Sequence, residues 1–332
     1  MPIDWTPFVE FVRRHHRFLI TTHVRPDGDA LGSQFAMAEA LERLGKQVRR
    51  VIASRLPPRY GFMDPGHAVR VFEAPGDEFR DCDAALVLDT GTWNQLAEVG
   101  PFLRGLPAAK FVIDHHRTQD DLGGGRIVDV TAEACGRLTR DAIRALGVPL
   151  TETMASHLFV ALAMDTGWFR HPSTTPATYG LAEELVAAGA RPTVIYDHLY
   201  EMSTLPRLHL TGLALSRLRA LAGGRVAHTE IHLADYRATG AVPLDTEDLV
   251  NYPRSLEGVE VALLFIEQPD GAVKVSFRSR ARVDVARLAE QFGGGGHRLA
   301  SGTTLPGPLE VARERVLQAA AAAVELLTTG GP

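Results

Sequence analysis

Three side chains able to bind a cation fall within seven positions near the amino terminus. They are His23, Asp27 and Asp29, in the run Thr22-His23-Val24-Arg25-Pro26-Asp27-Gly28-Asp29-Ala30-Leu31-Gly32-Ser33. Pro26 fixes its own φ and Gly28 permits a left-handed backbone, so the run can curl and turn several side chains inward. Carboxylates and an imidazole converging on one point repel and resist desolvation unless a cation sits among them. An aspartate that caps the following helix is the plainer reading of a lone Asp-Gly-Asp. Three further clusters weigh against that reading. Asp89 follows Ala84–Leu88, Asp114-His115-His116 follow Phe111-Val112-Ile113, and Asp165 follows the apolar stretch His157–Met164.

Together these give four carboxylates (Asp27, Asp29, Asp89, Asp165) and two imidazoles (His23, His115). That is more than one tetrahedral zinc requires. Mixed imidazole and carboxylate ligation suits Mn²⁺ or a similar ion, in two sites bridged by one carboxylate. Two such ions about 3.5–4 Å apart can activate a shared water and clamp a phosphoryl group for in-line attack. His116, beside His115, could hydrogen-bond a phosphate oxygen or assist the leaving group. Asp114 reads as a residue that orients an imidazole rather than as a ligand. His15, His16, His67, His157, His198, His209, His228 and His232 read as satisfied packing residues.

Chemistry of this kind needs elements that deliver each side chain to one edge. Ala84–Leu88 is a continuous apolar run, suited to a strand buried on both faces. Short apolar runs alternate with helical spacing, as in Leu31, Phe35, Ala38, Leu41 and Leu44, which stops at Gly45. The alternation predicts an α/β domain with a doubly wound, mostly parallel sheet, whose ligands lie beyond the carboxyl ends of the strands. A first helix is expected over Pro7–His16, capped by Thr6, and a strand over Gln47–Ile52. Another helix is expected from Thr175-Pro176 to about Ala188, followed by a linker-like region over Pro192–Pro206. From Arg207 the pattern changes to a helix (Leu208–Leu221), a strand (Arg225–Leu233), and two strands, Val259–Ile266 and Val273–Phe277, flanking Pro269-Asp270-Gly271 as in a hairpin. The expectation is a smaller α+β domain across a cleft from the first. The divisions are 1–190, a linker at 191–206, and 207–332.

With 332 residues, 45% of them hydrophobic and 23% charged, the chain can bury two cores. Its net charge of −5 argues against a protein that coats nucleic acid nonspecifically, though it leaves room for a small basic pocket. Lys46, Lys110 and Lys274 are the only lysines, so 32 of the 35 basic residues are arginine. Arginine suits bidentate phosphate contacts, and codon bias is an equally good explanation. Cys82 and Cys135 alone exclude a disulfide framework and a four-cysteine zinc site. Met1–Arg17 has no apolar core of a signal peptide, and Ala319–Ala323 is too short and too closely flanked by charge to span a bilayer. A cytoplasmic protein without a membrane partner is expected.

Asp-His-His at 114–116, His-x-x-x-Asp-x-Asp at 23–29, Asp89 after its strand and Asp165 together resemble the DHH phosphoesterase superfamily. The run Gly293-Gly294-Gly295-Gly296-His297-Arg298-Leu299-Ala300-Ser301-Gly302 resembles the signature of the DHH-associated carboxy-terminal domain. Asp165-Thr166-Gly167-Trp168-Phe169-Arg170 with Thr174-Thr175 is similar to the nanoRNase/pAp-phosphatase, or NrnA-like, branch. The resemblance covers essentially the whole chain. It implies one metal on His23, Asp27 and Asp89 and a second on Asp29, Asp89, His115 and Asp165, with Asp89 bridging and, with His116, catalytic. It further implies that Arg278, Ser279, His297 and the Gly-rich turn, with Gly294, Gly295 and Gly296, grip phosphate and nucleoside. Amides of Gly293–Gly296 could form an anion nest. Relatives often carry a basic residue near Gln95, where this chain reads Thr90-Gly91-Thr92-Trp93-Asn94-Gln95.

The preferred expectation is a phosphoesterase with two divalent ions, Mn²⁺ ahead of Mg²⁺ or Co²⁺, acting on short RNA oligonucleotides and 3′-phosphoadenosine 5′-phosphate (pAp). The alternatives are a phosphodiesterase for linear or cyclic dinucleotides such as pApA and c-di-AMP, an inorganic pyrophosphatase, and a non-catalytic nucleotide-binding regulator. Homodimerisation is left open.

Overall fold

A computed structural model describes residues 3–329, apart from the side chains of His297, Thr328 and Thr329. The chain forms two compact units that meet in sequence at Met202 and Ser203, inside the stretch expected to be a linker. No described helix is long and apolar enough to cross a membrane.

The first unit is built on six parallel strands, β1 (Arg17–Thr21), β2 (Gln47–Ile52), β3 (Val69–Val71), β4 (Ala84–Leu88), β5 (Ala109–Asp114) and β6 (Gly125–Val128), in the order β3-β2-β1-β4-β5-β6. Its helices are α1 (Thr6–Arg14), α2 (Gly28–Arg43), α3 (Val99–Gly105), α4 (Cys135–Ala145), α5 (Glu152–Asp165), α6 (Pro176–Ala187) and α7 (Pro192–Tyr196). Every residue of β4 is buried, as its unbroken apolar run requires. Strand order then decides which loops meet. β4 lies beside β1 although β2 and β3 intervene in sequence, so the winding reverses between β1 and β4. The carboxyl end of such a switch point is the crevice where open parallel sheets bind ligands.

Helices α2 and α5 carry three of the clustered carboxylates or lead into them, and close packing sets their spacing. Gly32 lies against α5, where an added Cβ would stand 2.3 Å from the carbonyl oxygen of His157. Leu31, Phe35, Met37 and Leu41 of α2 are buried in the main core, each contributing roughly 1.5–3 kcal/mol relative to exposure. α2 begins at Gly28, three residues before the expected start, because Asp27 caps it by accepting from the amides of Asp29 (3.0 Å) and Ala30 (3.1 Å). α1 is capped differently from expectation. Trp5 is the N-cap and Thr6 the first helical residue, its amide donating to Asp4 Oδ1 at 2.9 Å.

The second unit holds α8 (Leu205–Ser216), β7 (Arg219–Leu221), β8 (Val226–Ile231), α9 (Leu233–Thr239), α10 (Asn251–Ser255), β9 (Val261–Glu267), β10 (Ala272–Ser279), α11 (Val285–Glu290), β11 (Gly295–His297), β12 (Ala300–Pro306) and α12 (Leu309–Thr329). Its sheet runs β11-β12-β10-β9-β8-β7, antiparallel except for the parallel pair β8 and β9. The helix expected over Leu208–Leu221 is a correction: α8 stops at Ser216, and Arg219–Leu221 turn back as an edge strand paired with β8. Strand β9 runs straight into β10 through the expected turn at Asp270-Gly271, where Gly271 holds φ +81°.

Candidate metal centre

Each clustered side chain stands where a regular element ends. His23 lies two residues past β1 and Asp89 one residue past β4, on the two strands flanking the switch point. His115 follows β5, and Asp165 is the last residue of α5. Asp89 holds φ +60°, a left-handed conformation that costs a non-glycine residue about 1–3 kcal/mol and concentrates at functional sites.

The six side chains expected to bind metal form two groups, His23 with Asp27 and Asp89, and Asp29 with His115 and Asp165. Within each group the potential ligand atoms lie within 4.8 Å of one another. His23 Nε2 is 3.9 Å from Asp27 Oδ1 and 3.5 Å from Asp89 Oδ2. His115 Nε2 is 3.4 Å from Asp89 Oδ1, 3.7 Å from Asp29 Oδ2 and 3.7 Å from Asp165 Oδ2. Asp89 thus faces one group with each oxygen. Its side chain is buried, and Oδ1 has no hydrogen-bond partner. A buried carboxylate oxygen lacking a donor, among other carboxylates, fits a cation.

Backbone contacts orient both imidazoles. His23 Nδ1 donates to the Val24 carbonyl (3.0 Å) and His115 Nδ1 to the Ala132 carbonyl (3.1 Å), which leaves each Nε2 as the ligand atom. Asp29 accepts from the amides of Cys135 (2.6 Å) and Gly136 (2.8 Å) at the start of α4, the end of a helix that favours an anion. The sequence reading missed this anchor, more than 100 residues away. Its only signal was the small-residue run Ala134-Cys135-Gly136.

The electrostatics carry the same message. Burial alone would lower the His23 pKa, but Asp27 and Asp89 reverse this and raise it to about 11. Burial likewise works against His115, whose pKa Asp89, Asp29 and Asp165 raise to about 10. Burial pushes Asp29 well above the carboxylate range, with the charges of Asp89 and Asp165 adding to it. Asp165 rises to about 6, again through burial and neighbouring carboxylates. Negative charge is in excess in this space, and two cations would relieve it.

His116 joins the centre from one side: its Nδ1 is 3.8 Å from Asp89 Oδ1, and Asp89, His115 and His116 form a third group of potential ligands. Asp114, fully buried, accepts from the amides of His115 (2.8 Å) and His116 (3.2 Å) and from His116 Nδ1 (2.8 Å). Gln119 Nε2 donates to its other oxygen at 2.5 Å. Nδ1 of His116 is therefore committed, and Nε2 is the atom left for chemistry. Asp114→Asn keeps the shape but replaces the charged acceptor that fixes His116 and raises its pKa with a neutral amide. Turnover is expected to fall about 10- to 100-fold with an unchanged circular-dichroism spectrum, as steady-state rates on the two proteins would reveal. Among the histidines read as packing, His157 bonds the Met63 carbonyl (3.0 Å), and burial lowers its pKa to about 4, so it stays neutral.

In the second unit, register brings the remaining candidates together. Ala300 on β12 pairs with Arg278 on β10 and with His297 on β11. Only the backbone of His297 is placed, and its side chain lies outside the described residues. Burial lowers the pKa of Arg278, and the neighbouring Ser279 hydroxyl is buried without a hydrogen-bond partner. The glycine run departs from expectation. Gly293 N donates to Glu290 O (3.1 Å) and Gly294 N to Ala289 O (2.9 Å), while Gly295 and Gly296 enter strand β11. The first two amides therefore end α11 rather than forming a nest. Close approach explains glycine here: a Cβ on Gly294 would stand 2.3 Å from Gly302 O. Gln95 contributes its backbone, accepting from Val24 N at 2.6 Å and tying the loop after β4 to the His23 loop.

Comparison with known proteins gives the family and the fold. Residues 17–198 match the DHH family, N-terminal domain, and residues 225–326 match the DHHA1 domain. A bifunctional oligoribonuclease and PAP phosphatase NrnA from Thermus thermophilus is 33% identical over 303 residues, 90% of this chain and 88% of that one. An exopolyphosphatase-related protein from Bacteroides fragilis superposes with a TM-score of 0.91 at 25% identity, over 97% of this chain and 96% of that one. An exonuclease RecJ bound to manganese shares the fold at TM-score 0.55 and 16% identity, over 97% of this chain and 96% of that one. With both domain matches and a relative aligned along nine-tenths of its length, the chain belongs to the NrnA-like branch of the DHH family.

Proposed function

We propose that this protein uses two divalent cations, Mn²⁺ by preference, to hydrolyse short oligoribonucleotides and pAp. Phosphoester hydrolysis follows from the family; the substrates are those named for the Thermus relative. The observation that carries the two-ion reading is Asp89, whose buried Oδ1 lacks a donor and faces His115 while Oδ2 faces His23. His23, Asp27 and Asp89 hold one ion; Asp29, Asp89, His115 and Asp165 hold the other. Imidazole nitrogen with carboxylate oxygen suits manganese better than calcium. When bound, the ions supply charge neutralisation at the phosphoryl group and an activated water.

The chain's own groups do the rest. Asp114 fixes His116 through Nδ1 and raises its pKa, which favours a proton on Nε2 that can pass to the leaving oxygen. Arg278, Ser279 and His297, with the hairpin of Gly294, Gly295 and Gly296, hold a phosphate and the nucleoside. Partial burial of Arg278 and the unpartnered Ser279 hydroxyl support this role, since a buried guanidinium favours an anionic partner and the hydroxyl lacks one. Arg278→Ala is expected to raise KM for pAp about 10- to 100-fold with a smaller change in kcat, measured by phosphate release.

Substrate profiling with Mn²⁺ tests the whole reading. Hydrolysis of pAp and a dinucleotide is expected, with a cyclic dinucleotide and pyrophosphate turned over slowly or not at all. A preference for pyrophosphate, or nucleotide binding without turnover, would replace it.

A further inference from the structure

Just past Asp165 the backbone adopts a conformation that bulky residues avoid. Gly167, Trp168 and Phe169 hold φ of +55°, +56° and +62°, three left-handed residues in a row. Trp168 is kept there by two tyrosines. Its ring stands edge-on to Tyr196 and Tyr200, with centroids 5.0 and 5.9 Å away, and its Nε1 donates to the Tyr200 hydroxyl at 3.0 Å. Tyr196 and Tyr200 lie 4.9 Å apart and are 41% and 42% exposed. Tyr200 belongs to a π-helical turn, Asp197–Glu201, a rare geometry that recurs at functional sites.

This aromatic face is continuous with the metal centre. The Tyr200 hydroxyl donates to Met164 Sδ at 3.4 Å. Met164 in turn packs on Gly28, between Asp27 and Asp29, where an added Cβ would stand 2.4 Å from Met164 Cγ. Burial, with Asp27 and Tyr200 adding to it, raises the pKa of the Tyr60 phenol, so these groups share one electrostatic neighbourhood. The braced, partly exposed rings are thus one side chain removed from the loop that carries Asp27 and Asp29.

We propose that Tyr196 and Tyr200, braced by Trp168, form a stacking face for a nucleobase of the substrate, which selects nucleotides over bare sugar phosphates. The proposal rests on the phosphoesterase reading above. Rings ending in hydroxyls suit a base, which has π-faces and polar edges; stacking of this kind tolerates any base, as a nuclease for mixed sequences requires.

The test compares pAp with ribose 3,5-bisphosphate, which carries the same phosphates without the base, using the full chain with Mn²⁺. Tyr196→Ala is expected to raise KM for pAp on the order of tenfold, leave kcat within about twofold, and leave ribose bisphosphate unaffected. Tyr196→Phe should behave as wild type, and Tyr196→Leu should match the alanine variant if alanine folds poorly. An equal rise for both substrates, or none for pAp, overturns the proposal. So does an unchanged KM accompanied by a fall in oligomeric mass, which would assign the face to a second copy. If the wild type hydrolyses neither compound, the functional reading fails separately. Equilibrium dialysis then decides the stacking face: AMP binding tighter than ribose 5-phosphate, lost in Tyr196→Ala, supports it, and equal binding refutes it.

Discussion

Asp89→Ala is expected to leave no more than about a thousandth of wild-type turnover. Asp89 faces both ligand groups, with Oδ1 3.4 Å from His115 Nε2 and Oδ2 3.5 Å from His23 Nε2. Losing it removes one ligand from each proposed ion and the charge that balances both. The position is nearly inaccessible, at 2% exposure, so water can only partly replace the missing oxygens. Metal content by mass spectrometry should drop below two ions per chain, while the thermal transition stays cooperative because the surrounding strands do not depend on the carboxylate. Near-normal rates in this variant would sink the shared-ligand assignment.

Removal of divalent ions is expected to abolish turnover and restoring Mn²⁺ to recover it, and ion uptake should release protons. His23 and His115 have pKa values of about 11 and 10 without metal, so both imidazoles are protonated at neutral pH. Ligation requires them neutral and Asp29, whose pKa is also raised, ionised, so two protons or more must leave. Affinity therefore rises with pH across the neutral range. Calorimetry in two buffers of different ionisation enthalpy measures the number directly, and an exchange of zero protons would contradict the assignment. The metal-free protein should respond in the opposite direction. Histidines whose folded pKa exceeds 6.5 give stability that is complete below 6.5 and lost as pH rises toward 10 and 11. Asp29 and Asp165, also raised, act with the same sign: their protonated forms favour the fold at low pH, and that advantage fades as they ionise. The melting temperature in chelator should thus fall from about pH 4 upward as the two carboxylates ionise, and continue to fall above about pH 6.5 through the histidines, whereas the Mn²⁺ form should hold steady.

Much of the centre was legible because its residues sit where patterns break. The apolar run Ala84–Leu88 can only be a buried strand, so the first charged residue after it must emerge at the sheet edge. His115 after Phe111-Val112-Ile113 follows the same logic. Asp27 shows that two readings of one residue can both hold, since it caps α2 and also faces His23. Elements with weak patterns were the ones misread. β7 is three residues long and mostly exposed, so nothing in its sequence distinguishes it from the end of a helix.

The sequence by itself determined which atoms are available: four carboxylates, two imidazoles, and the strand and helix ends that carry them. Tertiary structure decided how those atoms are used. It set Asp29 against the α4 amides across 106 and 107 residues, turned one oxygen of Asp89 toward each group, and committed His116 Nδ1 to Asp114. It also spent the Gly293 and Gly294 amides on ending a helix. The physical reason is that local patterns report burial and backbone preference, whereas a hydrogen bond between distant segments depends on strand order and helix packing, which no single segment encodes.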